Sequence, residues 1–165
     1  MKKTIWIAFV VTVILAGCTS SGAPGSWKEH NLLQYDLPVR IMGPDSVKVT
    51  ASNLLFQKDV TIEGVLEDGY GVQVFSSSTS SQDATKIKAE ELAATKEHRF
   101  FKELIQDDAQ GFIYSTEIDS ANTYHQFKYV KVQGANEYLF QSLSGRKYDL
   151  DDVKKMYEAV QPKKQ

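Results

Sequence analysis

Apolar and polar positions alternate over several short runs in the first half of the chain. Val39-Arg40-Ile41-Met42 is framed by Pro38 and by Gly43-Pro44, and Val47-Lys48-Val49-Thr50 alternates at period two. Val60-Thr61-Ile62-Glu63 and Tyr70-Gly71-Val72-Gln73-Val74-Phe75 flank Glu67-Asp68-Gly69, whose Asp-Gly pair is a turn signal. Each run reads as a strand, because period-two alternation buries one face of a sheet. Trp27 to Leu37 is ambiguous. Gln82 to about His98 is rich in Ala, Glu and Lys and predicts the long central helix, with Ser80 and Asp83 three residues apart as a capping pair. Arg99 to Gln106 either extends that helix or opens a strand. The aromatic start and the turn Asp107-Asp108-Ala109-Gln110 favour the strand.

Three further strands are expected at 111–118, 123–132 and 137–144, joined by Asp119-Ser120-Ala121-Asn122 and Gln133-Gly134-Ala135-Asn136. A short C-terminal helix follows, capped by Asp149, with Leu150, Val153, Tyr157 and Val160 on one stripe and Asp151 and Asp152 in the first turn. The fold class is therefore α+β: an antiparallel meander with a long central helix and a short C-terminal helix packed on it.

Turn positions give an expected register. Placing Ile118 opposite Thr123 sets Thr116 against His125, Tyr114 against Phe127 and Phe112 against Tyr129. Placing Val132 opposite Glu137 sets Tyr129 against Phe140 and His125 against Ser144. One face then carries Phe112, Tyr114, Ile118, Phe127, Tyr129, Tyr138 and Phe140, with a polar row Thr116–His125–Ser144 at its edge. The other face holds Ile113, Val130 and Leu139 among Ser115, Glu117, Gln126, Lys128 and Gln141. A one-residue slip inverts such an assignment.

Composition narrows the function classes. The chain has 165 residues, 42% of them hydrophobic, which suits one globular domain and excludes extensive disorder. The balance of 19 basic to 21 acidic side chains, with no run of more than two basic residues up to and including Lys163-Lys164, argues against nucleic acid. One cysteine excludes an intrachain disulfide and a cysteine zinc cluster. His30, His98 and His125 lack metal-ligand spacing, and Asp149-Leu150-Asp151-Asp152 lacks the glycine and terminal glutamate of a calcium loop. Neither a metal nor a cofactor is expected. Ser144-Gly145-Arg146-Lys147 matches S-x-x-K, but one match is what this Ser- and Lys-rich composition gives, and S-D-N and K-T-G are absent. The charges at Lys86, Lys88, Glu90, Glu91, Lys96 and Glu97 read as a solvated helix face.

The leader is the most specific signal. Lys2 and Lys3 precede an apolar run from Ile5 to Ala16. Twelve helical residues reach only ~18 Å, short of a ~30 Å hydrocarbon core, so the run reads as a signal-peptide core. It ends at Leu15-Ala16-Gly17-Cys18, which resembles a bacterial lipobox. The resemblance implies diacylglyceryl transfer to the Cys18 thiol, cleavage before Cys18 and acylation of the new amino group. Thr19 in place of Asp resembles the pattern for release to the outer membrane in Gram-negative bacteria. The organisation is thus a signal peptide at 1–17, a flexible tether at 18–26 and one domain at 27–165.

The order of strands, helix, strands and helix across about 35–160 resembles the Mog1/PsbP-like fold. The resemblance is carried by the Leu37-Pro38-Val39-Arg40-Ile41 opening, the central helix, the Asp-rich hairpin into Gly111-Phe112-Ile113-Tyr114, the Tyr129 meander and the terminal helix. It implies a binding or assembly module, not an enzyme. The expected protein is an envelope lipoprotein held to the membrane through Cys18, with another envelope protein as partner. A small-ligand carrier using an aromatic-lined pocket is the alternative. A hydrolase built on Ser144 and His125 comes third, for want of an orienting carboxylate and an oxyanion motif.

Overall fold

The computed structural model describes residues 27–54, 56–65, 69–79 and 81–162. The expected lipobox and tether lie outside them, as do Ser80 and the Glu67-Asp68 part of the expected turn.

A short hairpin comes first: β1 (Lys28–Asn31) pairs antiparallel with β2 (Arg40–Gly43), joined through a 3-10 turn at Leu33–Tyr35. The main sheet comprises β3 (Val47–Leu54), β4 (Gln57–Gly64), β5 (Gly71–Ser78), β6 (Phe101–Asp107), β7 (Gly111–Asp119), β8 (Asn122–Gln133) and β9 (Asn136–Ser142). Its spatial order is β3-β4-β5-β9-β8-β7-β6, every pair antiparallel. Helix α1 (Ala84–Glu97) sits between β5 and β6 in the chain, and α2 (Leu150–Ala159) ends it. The architecture is mixed α+β. The ambiguous 27–37 stretch divides into β1 and the 3-10 turn, and the segment after α1 is a strand.

Both faces of the sheet are covered. Helix α2 and the β1-β2 hairpin lie on one face, over Val60, Ile62, Val72, Val74, Ile113, Phe127, Tyr129, Tyr138 and Phe140. Helix α2 is there because Val153, Met156, Tyr157 and Val160 recur at helical spacing and are all buried. Asp149 occupies its N-cap position, but its side chain makes no capping bond. Gly111 lets β7 run close beneath α2: a Cβ there would sit 2.7 Å from both the Lys128 carbonyl and the Tyr157 hydroxyl.

Helix α1 covers the other face. Its cap is Asp83, whose carboxylate accepts from the Thr85 and Lys86 amides. It docks through Ala84, Leu92 and Thr95 and through ion pairs, Lys88 to Asp107 and Glu91 to Lys128. This corrects the expectation of a fully solvated charged face: Lys88 is buried and Glu91 is half-buried. Among the described residues no helix is long and apolar enough to cross a membrane.

The β8–β9 register is as expected, with Val132 opposite Glu137 and Tyr129 opposite Phe140 across a turn in which Gly134 adopts φ 64°. The β7–β8 register is not. Asp119 pairs with Asn122, but Thr123 pairs with Glu117, so Ile118 is bulged out. The cause is local. The Asp119 carboxylate accepts from the Ala121 amide and the Asn122 side chain, closing a tight turn and leaving one residue over on β7. Every β7 side chain therefore changes face. Phe112 and Tyr114 lie under α1 with Leu92, Ile113 joins the core beneath α2, and Ser115 is buried on the same face as Ile113.

Candidate functional site

The bulge dissolves the expected polar row. His125 pairs with Ser115, while Thr116 pairs with Tyr124 on the opposite face. Ser144 is exposed in the loop after β9, and no hydrogen bond joins His125 to Ser144 or Thr116 among the described residues. No nucleophile and base meet there. Lys147 of the S-x-x-K match is exposed, and Arg146 between them pairs with Glu63 at 2.7 Å. His30 bonds the Pro44 carbonyl at 2.7 Å and serves the β1-β2 hairpin. Asp152 of the Asp-rich turn pairs with Lys155 at 3.6 Å. Cys18 lies outside the described residues.

The same bulge builds a different feature. Where the C-terminal end of α1 lies over β7 and β8, a cleft of about 420 Å³ opens, lined by Thr95, His98, Phe100, Tyr114, Thr116, Ile118, Tyr124, Gln126 and Lys128, with Ala94 and Gly145 at its margins. Its volume falls within the range of small-molecule sites. Tyr114 forms the floor, tilted against Phe112 at 5.6 Å and stacked on Phe101 at 6.5 Å between ring centres. Burial, and after it the Glu91 carboxylate, push the Tyr114 hydroxyl up to about 12, so it stays protonated beyond the pH at which a free tyrosine ionises. Ile118 is 55% exposed, an apolar rim that a regular hairpin would not have presented.

The far wall is made by the turn out of α1. The Phe100 amide donates to His98 Nδ1 at 3.4 Å, and the two rings lie 5.6 Å apart. In the neutral imidazole this bond leaves the proton on Nε2. The Arg99 guanidinium stacks 4.4 Å from the Phe100 ring centre, holding that ring in place. Lys128 crosses beneath α1 to Glu91 at 2.7 Å, so its charge is already matched. The cleft thus offers aromatic faces, the Tyr114 and Tyr124 hydroxyls, the Thr116 hydroxyl, the Gln126 amide and a histidine. That set suits an apolar or aromatic group carrying one or two hydrogen-bonding atoms.

A second hollow of about 680 Å³ lies between β2, the end of α2 and the start of α1. It is more polar, with Glu29, Arg40, Asp83 and Lys131 around it, and Arg40 and Glu29 pair with each other at 3.1 Å. Among the described residues no three metal-binding side chains cluster.

The sequence placed Thr116 in a polar row at the edge of the aromatic face, with His125 as its neighbour. It missed Phe100, Tyr124 and His98 as a group, because only the bulge and the helix-to-strand turn bring them together. The findable signal was Asp119 followed by Asn122, which specifies a tight side-chain-closed turn. No protein-family model matches the chain, and no curated protein matches it.

Proposed function

We propose that the protein is an envelope lipoprotein, anchored through Cys18, whose domain works by binding and not by catalysis. The aromatic cleft at the end of α1 carries this reading. It is open and mostly apolar, edged by hydroxyl and amide groups, and the lysine in its lining, Lys128, is paired with Glu91. A surface of this kind holds a partner's group by contact and desolvation. Its occupant is an aromatic or branched apolar side chain of another envelope protein; a free small ligand of the same character is the alternative.

The lipobox residues Leu15 to Cys18 support the anchor, and Thr19 supports the outer membrane in a Gram-negative cell. Two or more acyl chains hold a protein stably where one does not. We read the domain as Mog1/PsbP-like, with α1 as its central helix. The support is the order of strands, helix, meander and helix.

Binding at the cleft is tested with a photo-crosslinking amino acid at Tyr124 in growing cells, against the same group at Lys86 on the exposed side of α1. A discrete adduct from Tyr124 alone is expected if the occupant is a protein. A lipid or metabolite adduct selects the carrier reading. Equal, diffuse labelling from both positions defeats both.

A further inference from the structure

We propose that β3 is the docking edge for a second copy of this chain, paired antiparallel about a two-fold axis at Thr50. This goes beyond the binding reading and does not depend on the lipid anchor.

The two edges of the sheet are built differently. β6 is interrupted by register shifts at Phe101/Glu103 and Leu104/Gln106 and carries Lys102, Glu103 and Asp107, the devices that keep an edge from recruiting another strand. β3 has no such interruption and fewer charges. Its eight residues pair with β4 without a shift, and Lys48 is its only charge. Lys48, Thr50, Ala51, Ser52 and Asn53 are exposed. No backbone bond from 47–54 to anything but β4 occurs among the described residues. A regular, near-neutral edge of this length is a template for β-addition.

Charge and shape point to a copy of the same edge. Lys48 has no ion-pair partner among the described residues, since Glu63 across from it on β4 is held by Arg146. Centring on Thr50 sets Lys48 opposite Ser52 of the second copy, and Ser52 pairs with Asp59 on the next strand. One oxygen of Asp59, Oδ1, is buried with no hydrogen-bond partner. Each lysine is thereby brought into the row of an incompletely satisfied carboxylate on the same face. Centring on Lys48 would set the two lysines directly opposite each other, and centring on Val49 would set them on a diagonal two residues apart, both unfavourable. In the Thr50 register they stand four residues apart, about 13 Å.

The ends match as well. Phe56 at the tip of the β3–β4 hairpin is 91% exposed, and Val65 at its base is 59% exposed, its amide bonded to the Ser46 carbonyl at 3.1 Å. Antiparallel pairing sets Ser46 opposite position 54 of the second copy. It therefore brings Phe56 of each copy to the end of the joint sheet where Val65 of the other lies. Two edge strands bury less than the roughly 1,200–2,000 Å² of a stable complex, so the pair is weak and is read by capture.

The test is disulfide trapping of the full-length protein in intact cells. Directly opposed residues in an antiparallel pair lie about 4.5–5.5 Å apart at Cα, within disulfide reach. Thr50→Cys is expected to give a dimer under mild oxidation above the level of the wild-type chain, which carries Cys18 alone. Lys48→Cys co-expressed with Ser52→Cys should form a mixed dimer, while each alone should not. Phe56→Asp added to Thr50→Cys should lower the yield several-fold at unchanged abundance. The proposal is overturned if Thr50→Cys at wild-type abundance gives no dimer, if Lys102→Cys on β6 gives as much, or if Thr50→Cys is trapped mainly on a different protein.

Discussion

Replacing Phe127 by Ala removes a ring that is completely buried in the main core, at the point where β8 crosses beneath α2. Its ring meets Tyr157 edge-on at 5.9 Å, and its Cα partner is Ile113, also fully buried. No solvent reaches the site, and the surrounding strands are held by hydrogen-bonded ladders on both sides, so collapse into the hole is limited. The loss should be about 3–5 kcal/mol. A domain of this size has roughly 5–15 kcal/mol in total, so the variant sits near its unfolding threshold. The neighbouring Lys128→Ala makes the comparison informative. A strand that simply faced solvent there would lose less than about 0.5 kcal/mol. Lys128 is 18% exposed and bonded to Glu91 at 2.7 Å, so its removal should cost nearer ~1 kcal/mol, the upper end for a partly exposed pair. Urea unfolding of wild type and both variants gives the midpoints, and unchanged slopes make the differences stability differences. Equal losses at 127 and 128, or a neutral Phe127→Ala, would refute the assignment of faces.

Raising the pH should destabilise the fold in a defined window. The Tyr114 and Tyr148 hydroxyls are both pushed up to about 12, first by burial. An unfolded tyrosine ionises near 10. Their contribution is therefore complete below pH 10 and is lost as pH rises towards 12, because the unfolded chain then binds fewer protons than the native one. Tyr114→Phe should flatten that decline, which urea midpoints between pH 9 and 12 will read; an unchanged slope would contradict it. Cys18→Ser should abolish palmitate incorporation and release any processed protein from the membrane fraction. Continued labelling would disprove the anchor.

How much of this was legible in the sequence differs element by element. Strands with clean alternation, such as 60–63 and 72–75, were readable because burial of one face leaves a period-two trace. The stripe on α2 was readable for the same reason at helical period. Helix α1 was harder. Its docking relies on Lys88–Asp107 and Glu91–Lys128, and charged residues carry no periodic mark saying which ones face inward. The β7 face was misread through one residue. Ile118 looks like a strand residue in any local window, and only the competition between its pairing and the Asp119 turn expels it. The candidate cleft follows from that expulsion, which puts Thr116 beside Tyr124 and away from His125. A polar row that looked like chemistry was thereby exchanged for an aromatic surface that suits binding.

The most direct test of the account is complementation of a deletion strain with point variants at matched folded abundance. If the domain works by contact at the cleft, Tyr124→Ala and Phe100→Ala should fail to restore the wild-type phenotype, while His125→Ala and Ser144→Ala restore it fully. Full restoration by Tyr124→Ala and Phe100→Ala, or loss of function in both His125→Ala and Ser144→Ala, would contradict it.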